Sequence, residues 1–186
     1  MKLSSVSRRG FLETVSMVGA AAVWSANFSK ASGAEKMPEV TSRIFVCAIC
    51  GHVEFGNAPD ACPVCHADKE KFQLNDALFT DSQKKFANAG DKHLPVIEAT
   101  AKSPLVTEQP AIAMQTKIGS VIHPMEKGHH IRFIDCYIDD VYVSRLLLTL
   151  NSHPTAGINI RKSGTRVRAV ILCTLHGYWQ NEATVA

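Results

Sequence analysis

Two Cys-x-x-Cys pairs, Cys47–Cys50 and Cys62–Cys65, stand eleven residues apart and constrain the fold of the segment that holds them. Such a knuckle turns the chain tightly, so both sulfurs point at one ion and backbone N–H groups point at the sulfurs. Gly51 permits the first turn and Pro63 stiffens the second. A segment of about thirty residues cannot bury an adequate core, so a bound metal supplies folding free energy. Disulfides are disfavoured, because a bridged Cys-x-x-Cys closes a strained ring. Four thiolates complete a tetrahedral set, so His52 and His66, which flank the knuckles, are expected at the surface. Zinc and iron both accept tetrahedral sulfur, and the spacing leaves the metal open.

The charge pattern isolates the N-terminus. Lys2, Arg8, Arg9 and Lys30 stand against Glu13, so residues 1–34 carry the whole net charge of +3, and the other 16 basic and 16 acidic residues cancel. A neutral body gives no reason to expect nucleic acid or an anionic membrane as partner. Arg161, Lys162, Arg166 and Arg168 read as a solvated strand edge or hairpin. Ser7-Arg8-Arg9-Gly10-Phe11-Leu12, the apolar stretch Val15 to Trp24 and the small residues Ser32-Gly33-Ala34 form a twin-arginine export signal over residues 1–34. It directs the protein to the periplasm, or anchors it in the membrane if uncleaved, although the apolar stretch is short for a bilayer. Export after folding lets metal enter before the cysteines meet an oxidising compartment.

Residues 43–73 form the four-cysteine domain, and residues 74–90 read as a polar linker with a helical turn or two. Over residues 91–182 the pattern is β. Val96-Ile97, Ala113 to Val121, Ile131 to Ile138, Val141 to Leu150, Gly157 to Ile160 and Val167 to Leu172 are short apolar or alternating runs. His-Pro, Asp-Asp, Asn-Ser-His-Pro and Lys-Ser-Gly punctuate them as turns. The expectation is a mainly β chain, with the small metal domain followed by an immunoglobulin-like antiparallel sandwich.

A second constellation lies in that β region. Cys173-Thr-Leu-His176 ends an apolar run, and Lys92-His93-Leu-Pro95, His123-Pro-Met125 and Gly128-His129-His130 are able to join it. One thiolate with four imidazoles is too nitrogen-rich for a structural zinc site and suits an iron that binds and reduces something. Other residues get plainer roles. His130 points opposite to His129 if the segment is extended. His153 sits in a turn, Cys136 is a buried small residue and Met125 packs under the site.

Two resemblances follow from these residues. Phe45 to Cys65, followed by Lys69-Glu-Lys-Phe72, resembles the rubredoxin-like domain of rubrerythrins. That implies a mononuclear, four-thiolate iron centre for electron transfer at Cys47, Cys50, Cys62 and Cys65, with zinc as the alternative. Lys92-His93-Leu-Pro95, Gly119-Ser-Val-Ile-His123-Pro-Met-Glu126, His129 six residues later, and Cys173-x-x-His176-Gly with Trp179 resemble, in the same order, the superoxide reductases, the family of neelaredoxin and desulfoferrodoxin. The resemblance implies a second mononuclear iron held by His93, His123, His129 and His176 in one plane and by the Cys173 thiolate on the axis. The position opposite the sulfur is left for superoxide. Lys92 is then the cation that attracts superoxide and stabilises reduced oxygen. Many members carry Glu just before Lys-His as a sixth ligand; here the residue is Asp91, one methylene shorter, and it stays outside the ligand set. The expected activity is one-electron reduction of superoxide to hydrogen peroxide, with the four-cysteine iron as relay and an external donor such as a rubredoxin or cytochrome. A homo-oligomer is expected. The competing readings are a non-catalytic electron-transfer or metal-binding module and a slow superoxide dismutase. A di-iron peroxidase is disfavoured, because paired helical Glu-x-x-His segments are missing.

Overall fold

The structure, a computed structural model, describes residues 42–185 apart from 101, 102, 104, 107 and 108. The export signal expected over residues 1–34 lies outside the described residues. In the small unit, β1 (Ile44–Cys47) pairs antiparallel with β2 (Val53–Phe55) on one side and β3 (Phe72–Leu74) on the other. The first knuckle is the turn between β1 and β2: the Cys47 N–H donates to His52 O at 2.8 Å and the Gly51 N–H to Cys47 O at 2.9 Å. The second knuckle closes in the same way, with the His66 N–H donating to Cys62 O at 2.9 Å. His66 is exposed, as expected.

The segment expected to be a linker folds against the rest. It contains the helix α1 (Leu78–Lys85) and a 3-10 turn (Ala87–Ala89), and its last residue opens the short helix α2 (Gly90–His93). Its few apolar residues are what anchor it: Leu78 and Phe79 are buried and join the main core. Polarity elsewhere on α1 marks the outer face of a packed helix rather than a tether.

Seven strands follow: β4 (Pro95–Thr100), β5 (Ile112–Ile118), β6 (Ile131–Ile138), β7 (Val141–Leu147), β8 (Thr155–Ile160), β9 (Arg166–Cys173) and β10 (Gly177–Thr184). They form two antiparallel sheets, of four strands in the order β10-β9-β6-β7 and three in the order β4-β5-β8. The mainly β, antiparallel architecture matches the expectation. The nearly continuous apolar runs of β6 and β9 belong to the two central strands of the larger sheet, whose residues are almost all buried. Asp139 and Asp140, between β6 and β7, both take positive φ (48° and 65°), the backbone of a tight hairpin turn whose twist matches its strands. β10 carries no clear sequence signal, because Gln180, Asn181 and Glu182 interrupt its apolar pattern; it is held by full pairing along β9, from Gly177↔Cys173 to Thr184↔Arg166.

One hydrophobic cluster runs through both parts. Ile44, Val53 and Phe55 of the small unit pack with Leu78, Phe79, Ile134, Tyr137, Val170 and Trp179. The four-cysteine unit thus borrows a core it is too small to build. This explains two departures from the expected surface residues. His52 is fully buried, because strands β6 and β7 cover it: its ring stacks on Tyr137 at 6.1 Å and meets Tyr142 edge-on at 4.6 Å. Arg168 is 4% exposed, with its guanidinium 4.2 Å from the Phe55 ring centre and paired to Glu182 at 2.8 Å and Asp140 at 3.2 Å. The charge expected in solvent is instead buried beside two partly exposed carboxylates. Arg166, also bonded to Asp140, is partly exposed, closer to the solvated edge expected of it.

Candidate metal centres

Four sulfurs meet where the two knuckles face each other. Cys47 Sγ lies 3.7 Å from Cys65 Sγ, and Cys50 Sγ lies 3.6 Å from Cys62 Sγ. A tetrahedral ion with metal–sulfur bonds of about 2.3 Å needs sulfur–sulfur edges of about 3.8 Å, so the set fits one ion. Burial pushes the thiols of Cys50 and Cys62 above their ordinary pKa, although backbone N–H groups, such as that of His52 towards Cys50, pull the other way. A cation is what makes four crowded thiolates stable there.

The second group is built from three stretches of chain. α2 presents His93, the turns between β5 and β6 present His123 and His129, and the β9–β10 hairpin presents Cys173 and His176. Gly119 brings the first two stretches together. A Cβ there would stand 2.8 Å from Lys92 O and 2.3 Å from Val121 O, and its φ is +85°. Across this contact the Gly119 N–H donates to Leu94 O at 3.0 Å and the Val121 N–H to Asp91 O at 3.1 Å. His129 is placed by a tight turn in which Glu126 and His129 exchange two 3.0 Å backbone hydrogen bonds.

The donor atoms of His93, His123, His129, Cys173 and His176 all lie within 4.8 Å of one another. The four rings form a square. Neighbouring rings are 4.5 to 4.8 Å apart and close to perpendicular, while His93 and His129, on one diagonal, are 6.1 Å apart and inclined by only 22°. Cys173 Sγ sits 3.5 Å from both His123 Nε2 and His176 Nδ1. Four imidazoles and one sulfur in this arrangement leave the side away from the sulfur for a further group.

Hydrogen bonding fixes which nitrogens face inward. His93 Nδ1 donates to Ala89 O at 2.7 Å, and His123 Nδ1 donates to Pro124 O at 2.6 Å. Each ring then turns a bare Nε2 lone pair inward, and the two nitrogens approach to 3.1 Å. Burial, aided by the neighbouring imidazoles, holds both rings down at about 4, so neither carries the proton that could relieve the contact at neutral pH. His129 Nε2 is buried with no protein partner. Lone pairs aimed at one point, and a thiol pushed up by burial although the Leu175 and His176 N–H groups reach towards it, are the donor set of a cation. The residues therefore fit a resident metal ion.

Trp179 and Phe86 support the square from outside. Trp179 stacks on His93 at 5.0 Å and donates from Nε1 to His176 O at 3.1 Å, and Phe86 meets His176 edge-on at 4.7 Å. Phe86, Ala89 and Pro124 carry no readable sequence signal, because their part is played by a ring face or a main-chain carbonyl. Lys92 is exposed beside buried His93. His130, His153 and Cys136 stay out of both donor groups; Cys136 is buried, and Met125 packs against the core.

A mainly β chain with one group of four histidines and a cysteine, and a second group of four cysteines, has the donor sets of a two-centre metalloprotein. The profile of the desulfoferrodoxin family matches residues 85–182, and that of the rubredoxin-like domain of rubrerythrin matches residues 45–73. The chain belongs to the desulfoferrodoxin family. It is 34% identical over 140 residues to a desulfoferrodoxin homolog of Archaeoglobus fulgidus, covering 75% of this chain and 95% of that one. The desulfoferrodoxin of Nitratidesulfovibrio vulgaris is 33% identical over 141 residues, again 75% and 95% of the two chains. A superoxide reductase of Pyrococcus furiosus is 30% identical over 118 residues, 52% of this chain and 90% of that one.

Proposed function

We infer that the protein is a superoxide reductase, with iron at both centres and the four-cysteine centre supplying electrons to the other. The observation that carries this reading is the square of four imidazoles over one buried thiol. Iron held by His93, His123, His129, His176 and Cys173 would supply the one electron that superoxide reduction needs. The chain supplies the rest. Neutral His93 and His123 add no positive charge, which keeps a ferrous ion stable beside a thiolate. The Ala89 and Pro124 carbonyls lock both rings in the donating tautomer. The exposed Lys92 ammonium draws an anion towards the histidine face and balances charge on reduced oxygen. Solvent beside half-buried His129 and His176 provides the two protons that complete hydrogen peroxide.

The Asp91 carbonyl is held by the Val121 N–H and by the Ser120 hydroxyl at 3.2 Å. A carboxylate on so short a side chain, with its backbone pinned, is outside our ligand set. The twin-arginine segment supports a periplasmic site of action, where a small electron-transfer protein such as a rubredoxin or cytochrome would reload the four-cysteine centre. Superoxide pulses over the reduced, iron-loaded protein test the reading. Hydrogen peroxide without dioxygen, with one iron oxidised per superoxide, is expected. Dioxygen released with the peroxide identifies a dismutase, and no reaction, or zinc at both sites, refutes the enzyme and leaves a binding module.

A further inference from the structure

Three hydrogen bonds run from sandwich side chains to the main chain of the first knuckle and of the start of β2 beside it. Arg145 Nη1 donates to Cys50 O at 2.9 Å, Tyr137 Oη to Val53 O at 2.6 Å and Tyr178 Oη to Gly51 O at 3.0 Å. They differ in where they lead. Arg145 and Tyr137 lie on β7 and β6, whose residues contribute nothing to the histidine–cysteine group. Tyr178 lies two residues after His176 and pairs across the hairpin with Leu172, the residue before Cys173. Its hydroxyl ends on the residue that follows Cys50. The contact is close enough to require glycine: a Cβ on Gly51 would stand 2.6 Å from Tyr178 Oη and 3.7 Å from Leu172 Cδ2, and φ is +73°. The knuckle therefore rests on the same hairpin that carries Cys173 and His176, with one hydrogen bond between two short covalent runs.

We propose that Tyr178 is the bridge through which an electron passes from the four-cysteine centre to the histidine–cysteine centre of the same chain. The path runs from Cys50 to the Gly51 carbonyl, across the hydrogen bond to the Tyr178 phenol, and along Gly177 to His176. This rests on the relay reading above and gives it a route. One electron moves: a ferrous ion at the four cysteines becomes ferric, and a ferric ion at the histidine–cysteine group becomes ferrous. Tyr178 keeps its proton, is not itself oxidised, and no bond forms or breaks. A covalent and hydrogen-bonded path of this kind makes the transfer unimolecular and independent of protein concentration.

The test uses the full chain with iron at both centres, both ferric. A flash-generated deazaflavin semiquinone delivers less than one electron per chain, and the two iron absorption bands are followed in time. In the unmodified protein the four-cysteine band is expected to bleach first and recover as the other band changes, at a rate that does not depend on protein concentration. Tyr178→Phe should slow that recovery several-fold, while iron content and both reduction potentials stay unchanged. Tyr137→Phe removes a crossing hydrogen bond of the same kind and should leave the rate as it was. Amide exchange at Gly51 and His52 reports whether the knuckle stays docked in each variant. Equal slowing in both variants would mean that docking, not the Tyr178 path, sets the rate. An unchanged rate in Tyr178→Phe, a rate that rises with concentration, or no transfer at all also overturns the proposal. Because the flash uses no superoxide, these failures leave the reductase activity standing, no transfer at all alone removes the four-cysteine relay, and a failed superoxide assay leaves the route measurable.

Discussion

Replacing Asp135 by Ala should cost far more than any surface charge in this protein. Asp135 is fully buried on β6. Its Oδ1 accepts from Arg145 Nε and its Oδ2 from Arg145 Nη2, both at 2.6 Å, and His52 Nδ1 lies 3.4 Å from Oδ2. The Arg145 side chain is only 6% exposed, with its guanidinium 3.6 Å from the Phe133 ring centre. Burial works to lower the His52 pKa, but the Asp135 and Glu54 carboxylates outweigh it and hold the imidazole above its ordinary value. Without the carboxylate, the Arg145 guanidinium remains in the interior with its charge uncompensated, while His52 keeps only Glu54, at 2.8 Å. Breaking a buried pair in this way costs about 3–5 kcal/mol. For a chain of this size that lowers the thermal midpoint by roughly 10 °C. The Lys69–Asp60 pair, with Asp60 99% exposed, is the internal reference, and Lys69→Ala should cost less than about 1 kcal/mol. Denaturant titration of the iron-loaded chain, followed by circular dichroism, measures both. The double change Asp135→Leu with Arg145→Met should recover part of the loss, because it removes both charges together. An Asp135→Ala loss no larger than that of Lys69→Ala would refute the view that this network holds the small unit on the sandwich.

Cys173→Ser should remove one iron per chain and the spectrum of the histidine–cysteine centre while the four-cysteine absorption persists, as read by metal analysis and visible spectra. Trp179→Ala, which deletes a ring 1% exposed and its bond to His176 O, should lose about 3–5 kcal/mol in the same denaturant titration. The metal-free protein should lose stability as pH falls from about 6.5 towards 4. In that window the unfolded chain binds protons that folded His93 and His123, held at about 4, refuse, so the unfolded state gains. Denaturation midpoints across the range check this, and a flat profile would contradict the neutral-ring geometry.

Much of both centres is legible in the chain itself. Cysteines and histidines carry their chemistry in their identity, and their spacing brings matched pairs together: Cys47 with Cys50, Cys62 with Cys65, Cys173 with His176. Strands β6 and β9 are legible because burial on both faces leaves a continuous apolar run. Residues that act by position are not. His52 looks like any flanking histidine until β6 and β7 close over it, and Arg168 looks like part of a basic hairpin until Asp140, Glu182 and Phe55 enclose it. β10 is hidden because its polar residues are buried or paired: Gln180 is fully buried, and Asn181 Nδ2 donates to Pro95 O of the opposite sheet at 3.0 Å. The segment 74–90 reads as a tether because two apolar residues suffice to dock a short helix. In each case the deciding partner lies far away along the chain.

The seating of Gly51 on the β9–β10 hairpin makes the two units poor candidates for exchange. A four-cysteine unit transplanted from another protein would have to bring more than its metal knuckles. It would need a residue without a side chain where Tyr178 presses, a carbonyl aimed at that phenol, and a ring of the right shape to fill the space that His52 occupies between Tyr137 and Tyr142. Lineages that shuffle these parts must change both sides of the seam together, so Gly51, His52, Asp135, Arg145 and Tyr178 should be gained or lost as a set.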